Sequence, residues 1–185
     1  MLGAGAVAPE QGKHQVKTIN KVALGALLSS VCAAATAVEP VKVPDKVPYA
    51  ENNEVAGKIK HECRINEQLS EYIVEYAEEH KVATKVVDAT DATMPGRVLV
   101  LEITDAISRG NAFIGHRKAT TVRGTLYQDG QRIASFVGER DSMGGAFAGF
   151  KGSCSVLGRT VKALGSDIAE WLANPADNAQ LGDMD

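Results

Sequence analysis

The residues best suited to chemistry are the cysteines, three in a chain of 185 residues. Cys63 stands just before one stretch of helical periodicity and Cys154 at the start of another. The partial positive charge at a helix N-terminus lowers a thiol's pKa, so either side chain alone could act as a nucleophilic thiolate. Two such cysteines in an oxidising compartment more simply form one bond. That bond would close a loop of about 90 residues and contribute on the order of 4 kcal/mol in the chain-entropy account. No C-x-x-C pair is present to mark redox catalysis. Two readings stay open: a structural disulfide Cys63–Cys154, and a thiol-dependent enzyme using Cys154.

The stretch around Cys154 is rich in glycine: Gly144, Gly145, Gly149 and Gly152 lie just upstream, with Lys151 among them. A phosphate-binding loop needs G-x-x-x-x-G-K-[ST] between a buried strand and a helix, so that backbone amides and the lysine surround the phosphates. Gly144 and Gly149 have that separation, but Phe150 stands before Lys151 and Gly152 before Ser153. The preceding Glu139-Arg140-Asp141-Ser142 is polar, unlike a buried strand. The glycines read instead as a conformationally free connection. His61, Glu62 and Cys63 are adjacent, yet no pair of side chains has zinc-site spacing. No G-x-S-x-G elbow marks a serine nucleophile. The expectation is no catalytic residue, no metal and no cofactor.

A second candidate is the connection Ser108 to Lys118. Phe113 and Ile114 sit there among Arg109, His116, Arg117 and Lys118. Apolar side chains in a basic loop suit an anionic membrane or a protein partner, and they also suit folding back onto a core. Arg123, Tyr127 and Arg132 would extend that contact surface along a neighbouring hairpin. Overall the chain is mildly acidic, at net charge −3, which argues against nucleic acid as a partner.

The chain's ends bear on where this chemistry would take place. Lys17 and Lys21 precede an uncharged run from Val22 to Val38, and Ala35-Thr36-Ala37 offers the small residues of a cleavage site. These are the parts of a secretory signal. A start near Val16 would make a more usual opening. Cys32 could carry a lipid in an outer-membrane lipoprotein, but β-branched Val31 precedes it where a lipobox takes a small residue. Cleavage near Ala37 removes three of the 20 basic residues and one of the 23 acidic ones, taking the net charge from −3 to −5. It leaves two cysteines, the even number that one disulfide needs, in a periplasmic or secreted protein.

The elements that must hold these residues follow from periodicity. Residues 38–60, with Pro40, Pro44 and Pro48, read as an extended arm. A single domain spans 61–174, and 175–185 is a polar tail. From Arg64 to Lys81, Ile65, Leu69, Ile73, Tyr76 and Ala77 mark one helical face. Val82 to Val87 and Arg97 to Ile107 read as strands, the second with Leu99, Leu101 and Ile103 on one side. Asp129-Gly130 between two alternating stretches predicts a hairpin with a two-residue turn. Its register would put Leu126 opposite Ile133 and Val122 opposite Val137, all four facing the core. Tyr127 would face Arg132, and Arg123 would face Phe136, on the outside. Val156 to Leu172 repeats as a helix and stops before Asn174-Pro175. The class is α+β: about four mostly antiparallel strands, with an N-terminal and a C-terminal helix packed on one sheet face.

Residues 98 to 172, with "VRGTLYQDGQRIA", the glycine-rich connection and the closing "AEWL", resemble a family of uncharacterised bacterial envelope proteins and lipoproteins. That family is loosely similar to accessory lipoproteins of curli secretion and envelope transport. The resemblance implies an exported α+β domain and no established activity. The leading expectation is thus an exported module that binds an envelope protein, a lipid surface or another copy of itself. A small exported hydrolase inhibitor, which would insert a loop into a cleft, is a further alternative to the thiol enzyme.

Overall fold

The Asp129-Gly130 turn shows most directly how sequence shapes backbone here. Asp129 has φ 49° and Gly130 φ 81°, both positive as a type I′ turn requires. In the computed structural model, which describes residues 39–111, 115–143 and 152–184, this turn joins strand β4 (Gly115–Gln128) to β5 (Gln131–Met143). Gln128 pairs with Gln131 and Tyr127 with Arg132, as expected. The register then shifts, so that Leu126 pairs with Ala134, Gly124 with Phe136 and Arg123 with Val137.

That shift is a β-bulge: one extra residue on β5, Ile133, without a partner of its own. Side chains alternate with period two, so an extra residue exchanges the two faces of everything beyond it. Leu126 and Val122 face the core as expected. Ile133 and Val137 do not; they are exposed, and Ala134 and Phe136 are buried in their place. The expected pairings Leu126–Ile133, Val122–Val137 and Arg123–Phe136 are corrected accordingly. Gly124 opposite Phe136 gives the reason this register packs. The Phe136 ring lies over Gly124, where a Cβ would come within 2.4 Å of it.

Strand β3 (Arg97–Asn111) pairs antiparallel with β4 from Arg97–Gln128 to Asn111–Gly115. It runs further than the expected end at Ile107, so most of the expected 108–118 connection is strand. Two short strands complete the other side, β1 (Val41–Pro44) and β2 (Thr84–Val87). The last, β6 (Ala179–Gly182), pairs parallel with β5. The order is β2-β1-β3-β4-β5-β6. Among the described residues the sheet therefore has six strands rather than about four. It is mixed, because β1 runs parallel to both β2 and β3.

The two unexpected strands lie in the segments read as an arm and a tail. β1 is interior, with Val41 and Val43 fully buried. Its proline stands at the strand's last residue, where a missing N–H disturbs no ladder beyond it.

Three helices lie on one face of the sheet. α1 (Gly57–Glu62) and α2 (Ile65–Glu79) precede β2, and α3 (Ser153–Ala173) follows β5. α2 buries Ile65, Leu69, Ile73 and Ala77, and α3 buries Leu157, Val161, Leu164, Ile168 and Leu172. The two helices approach closely at Gly165, where an added Cβ would lie 2.5 Å from the Tyr72 Cβ. Between helices and sheet, Phe136 meets Trp171 edge-on, ring centroids 4.8 Å apart. The Thr120 and Thr160 hydroxyls, both buried, share a hydrogen bond of 2.7 Å that ties β4 to α3. Cys63, which ends α1, is bonded to Cys154 in the first turn of α3, with Cα atoms 5.0 Å apart and a sequence separation of 91.

Candidate functional site

Among the described residues the helices cover one face of the sheet, and on the other the middle of the central strands is open. On that face Ile133 and Val137 are exposed at 51% and 40%. A groove of about 350 Å³ runs over the centre of the sheet, lined by Val100 and Glu102 of β3, Arg123 and Tyr127 of β4, and Ser135 and Val137 of β5. Cross-strand register explains the grouping. Glu102 pairs with Arg123 and Arg123 with Val137, so the three stand in one row across three strands.

Charges on this surface are largely matched where they stand. Glu102 accepts a hydrogen bond from the Arg123 guanidinium, which the bond holds even more firmly in its charged form. Arg132 donates to Asp177 at 2.6 Å, and the Ser135 hydroxyl donates to the same carboxylate at 3.0 Å. Partial burial works to raise the Asp177 carboxyl. The Ser135 hydroxyl and Arg132 outweigh it and hold the group below its ordinary value. Ion pairs at this exposure contribute little to stability. Their effect here is to remove net charge from the face and leave its character apolar and hydroxylic.

The residues expected to make contact are distributed unevenly. Arg123 and Tyr127 line the groove, and Arg132 stands at its margin, held by Asp177. Lys118, expected on the exposed surface, is buried instead, and its ammonium reaches the Ser153 hydroxyl at 3.3 Å. It occupies the same register row as Ser108 and Ser142, two residues from buried Thr120 and so on the same, covered side. Arg109, His116 and Arg117 have strand backbone, and their side chains lie outside the described residues, as do Phe113 and Ile114 entirely.

Ile133 and Val137 were expected to face the core, and Val100, Ser135 and Asp177 were not among the residues expected to make contact. An uninterrupted hairpin hides Ile133 and Val137 from view, and only the bulge reveals them. The tail read as frayed supplies Asp177.

Cys63 and Cys154 form the expected bond, so in this state neither sulfur is a nucleophile. Among the described residues, no three His, Cys, Asp or Glu side chains group closely enough to hold a metal ion. Among those residues, too, no helix is long and apolar enough to cross a membrane.

No family model and no curated protein matches the sequence. Several solved structures are similar to it. Protein XCC0632 from Xanthomonas campestris, of the DUF330 family, has a TM-score of 0.52 at 10% identity, over 73% of this chain and 83% of that one. A minor lipoprotein from Acinetobacter baumannii has a TM-score of 0.45 at 12% identity, over 78% of this chain and 98% of that one. PelC from Paraburkholderia phytofirmans, solved as a dodecamer, has a TM-score of 0.43 at 10% identity, over 69% and 86%. At such identities the likeness to the Xanthomonas protein shows a common α+β fold, and a fold does not fix a function.

Proposed function

We propose that this chain is an exported envelope protein that acts by binding, and that the bare face of its sheet is the binding surface. The observation that carries the reading is the groove beside Val137, with Ile133 and Val137 exposed on a sheet face that no described helix covers. Antiparallel sheets tolerate one solvated face, but they usually make it polar. Apolar side chains there gain by contact with a partner. The matched charges favour a protein partner with an apolar edge over an anionic lipid surface. Export is supported by the signal-like N-terminus and by a disulfide built into the fold.

The test places a photo-crosslinking amino acid at Val137 or Tyr127 in the native host, and at Glu78 on α2 as a comparison. Adducts from the sheet positions, recovered in the envelope fraction, are the expected result. A self-adduct would identify the partner as a second copy. Adducts from Glu78 alone would overturn the assignment of the face. The intact mass of the recovered protein, alkylated without reductant, checks export. A chain starting near Val38 with no thiol adducts is expected; one that keeps residues 1–37 and carries adducts would sink the envelope reading.

A further inference from the structure

The outer edge of β2 is a second surface that no described element completes. β2 is the terminal strand of the sheet and pairs only with β1. The Val41 and Asp45 amides donate to the Ala83 and Val87 carbonyls, at 2.8 Å each. Backbone groups alternate sides along a strand, so Thr84 and Val86 turn their N–H and C=O groups away from the sheet. Among the described residues these groups meet no other partner. An open edge of this kind is a template for a further strand.

The side chains say what that strand must carry. Register sets Val86 beside Val43 and Lys85 beside Lys42. Val43 is buried in the core, so Val86 points to the same side, yet it is 51% exposed. Lys85 and Lys42 share the opposite side, like charges directly across from each other, which is an unfavourable pairing. Lys42 turns its ammonium to the Pro95 carbonyl. Lys85 is exposed, and among the described residues no carboxylate lies within ion-pair range of it.

A second copy of β2 does not meet these needs. Antiparallel pairing centred on Val86 sets Lys85 against Val87, and pairing of Thr84 with Val86 sets Lys85 against Lys85. Neither register brings a carboxylate to the lysines. A lysine in a short edge strand guards against pairing between copies. The same charge favours an acidic strand from elsewhere.

We propose that β2 docks an extended segment of a partner protein, one that alternates acidic and apolar residues and adds to the sheet as an edge strand. Its backbone pairs with Thr84 and Val86, an apolar side chain covers Val86, and a carboxylate faces Lys85 and Lys42. The edge lies outside the groove beside Val137, so the two surfaces are tested separately.

The probes are two fluorescent short peptides, one alternating Val and Glu and the other Val and Lys, titrated by anisotropy against the disulfide-intact protein. The Val/Glu peptide should bind saturably, about threefold to tenfold tighter than the Val/Lys peptide. Lys85→Glu should reverse that preference. Val86→Pro takes away an N–H that faces outward and leaves the bonds to β1 in place, so binding should be lost in a folded protein. If that variant does not fold, Lys85→Glu, at an exposed position, decides the matter. Hydrogen exchange should slow at the Thr84 and Val86 amides when the Val/Glu peptide is bound.

No saturable binding of the Val/Glu peptide would overturn the proposal, as would equal affinity for both peptides or a preference unchanged in Lys85→Glu. Protection confined to Val100, Thr125 and Val137 would also overturn it, by placing the peptide in the groove. Sedimentation of the protein alone should show no dimer through this edge. A dimer that Val86→Pro dissolves would give the edge to a second copy instead.

Discussion

The two faces of this sheet are made from alternate residues of the same strands, yet they meet opposite environments. On the covered face Leu99, Leu101, Ile103, Val122, Leu126 and Phe136 are all 2% exposed or less. On the other, Val100, Glu102, Arg123, Tyr127, Ser135 and Val137, each next to one of those residues in sequence, line an open groove. Composition does not separate them: Val137 is as apolar as Val122, and Ile133 as apolar as Ile103. What separates them is register, and on β5 a single extra residue sets the register. A bulge next to a tight turn is thus enough to bring apolar side chains onto the surface and to place the largest ring of the strand in the core.

The comparison can be tested first at its fastening. The disulfide holds the helix layer on the covered side, and its loop of 91 residues implies a loss of roughly 4–5 kcal/mol when it is absent. Cys63→Ser, Cys154→Ser and the double variant should lose that amount equally, read from urea unfolding without reductant.

Next come two adjacent residues of β5. Phe136→Ala removes a ring wedged against Trp171 and should cost about 3–5 kcal/mol. Val137→Ala should change stability by no more than about 0.5 kcal/mol. An uninterrupted hairpin register would reverse that order, so the pair of measurements decides between the two registers.

Gly165→Ala presses a methyl against Tyr72 at the crossing of α2 and α3 and should cost about 1–3 kcal/mol. Gly57→Ala, at a site where an added Cβ meets nothing within 4 Å, is the contrasting substitution and should cost far less.

The smallest effect is electrostatic. Hydrogen bonds from Lys46 and Arg64 hold the Glu67 carboxyl below its ordinary value of 4.5. A carboxylate depressed in the folded state contributes stability above its unfolded pKa, and that contribution is lost as pH falls through the folded value. The urea midpoint should therefore hold down to about pH 4.5 and then decline. Glu67→Gln should soften the decline without moving the midpoint much at pH 7.

Most of the covered face could be read from the sequence. Ile65 to Ala77 and Val156 to Leu172 repeat at the helical period over several turns, and Leu99-Leu101-Ile103 alternates cleanly. Long periodic signals of this kind survive tertiary packing. The disulfide followed from cysteine number and the signal-like start.

The bare face was harder for a local reason. Asp129-Gly130 correctly implies a type I′ turn, and nothing in Gln131-Arg132-Ile133-Ala134 announces the bulge. Placing Ile133 inward also satisfies the binary pattern. Only the mutual fit of Gly124 and Phe136 prefers the other register, and that is a contact across strands. β1 and β6 escaped notice because four residues carry too little periodicity. Their parallel partners also stand far off in the sequence: Val41 beside Thr84, and Ala179 beside Phe136. Lys118 was misplaced because a lysine among basic neighbours looks solvated, whereas the strand puts it in the row facing α3.

The Cys63–Cys154 bond also makes a covalent ring of residues 63 to 154, enclosing α2, β2, β3, β4 and β5 and leaving β1 and β6 outside it. A protease that cuts once inside the ring frees no fragment, because both new ends stay attached through sulfur. The clipped molecule would weigh one water more than the intact chain and would run as a single band on a gel without reductant. Two bands would appear only after the bond is reduced. In an oxidising compartment, a single cut in this protein would therefore pass unseen on a gel run without reductant.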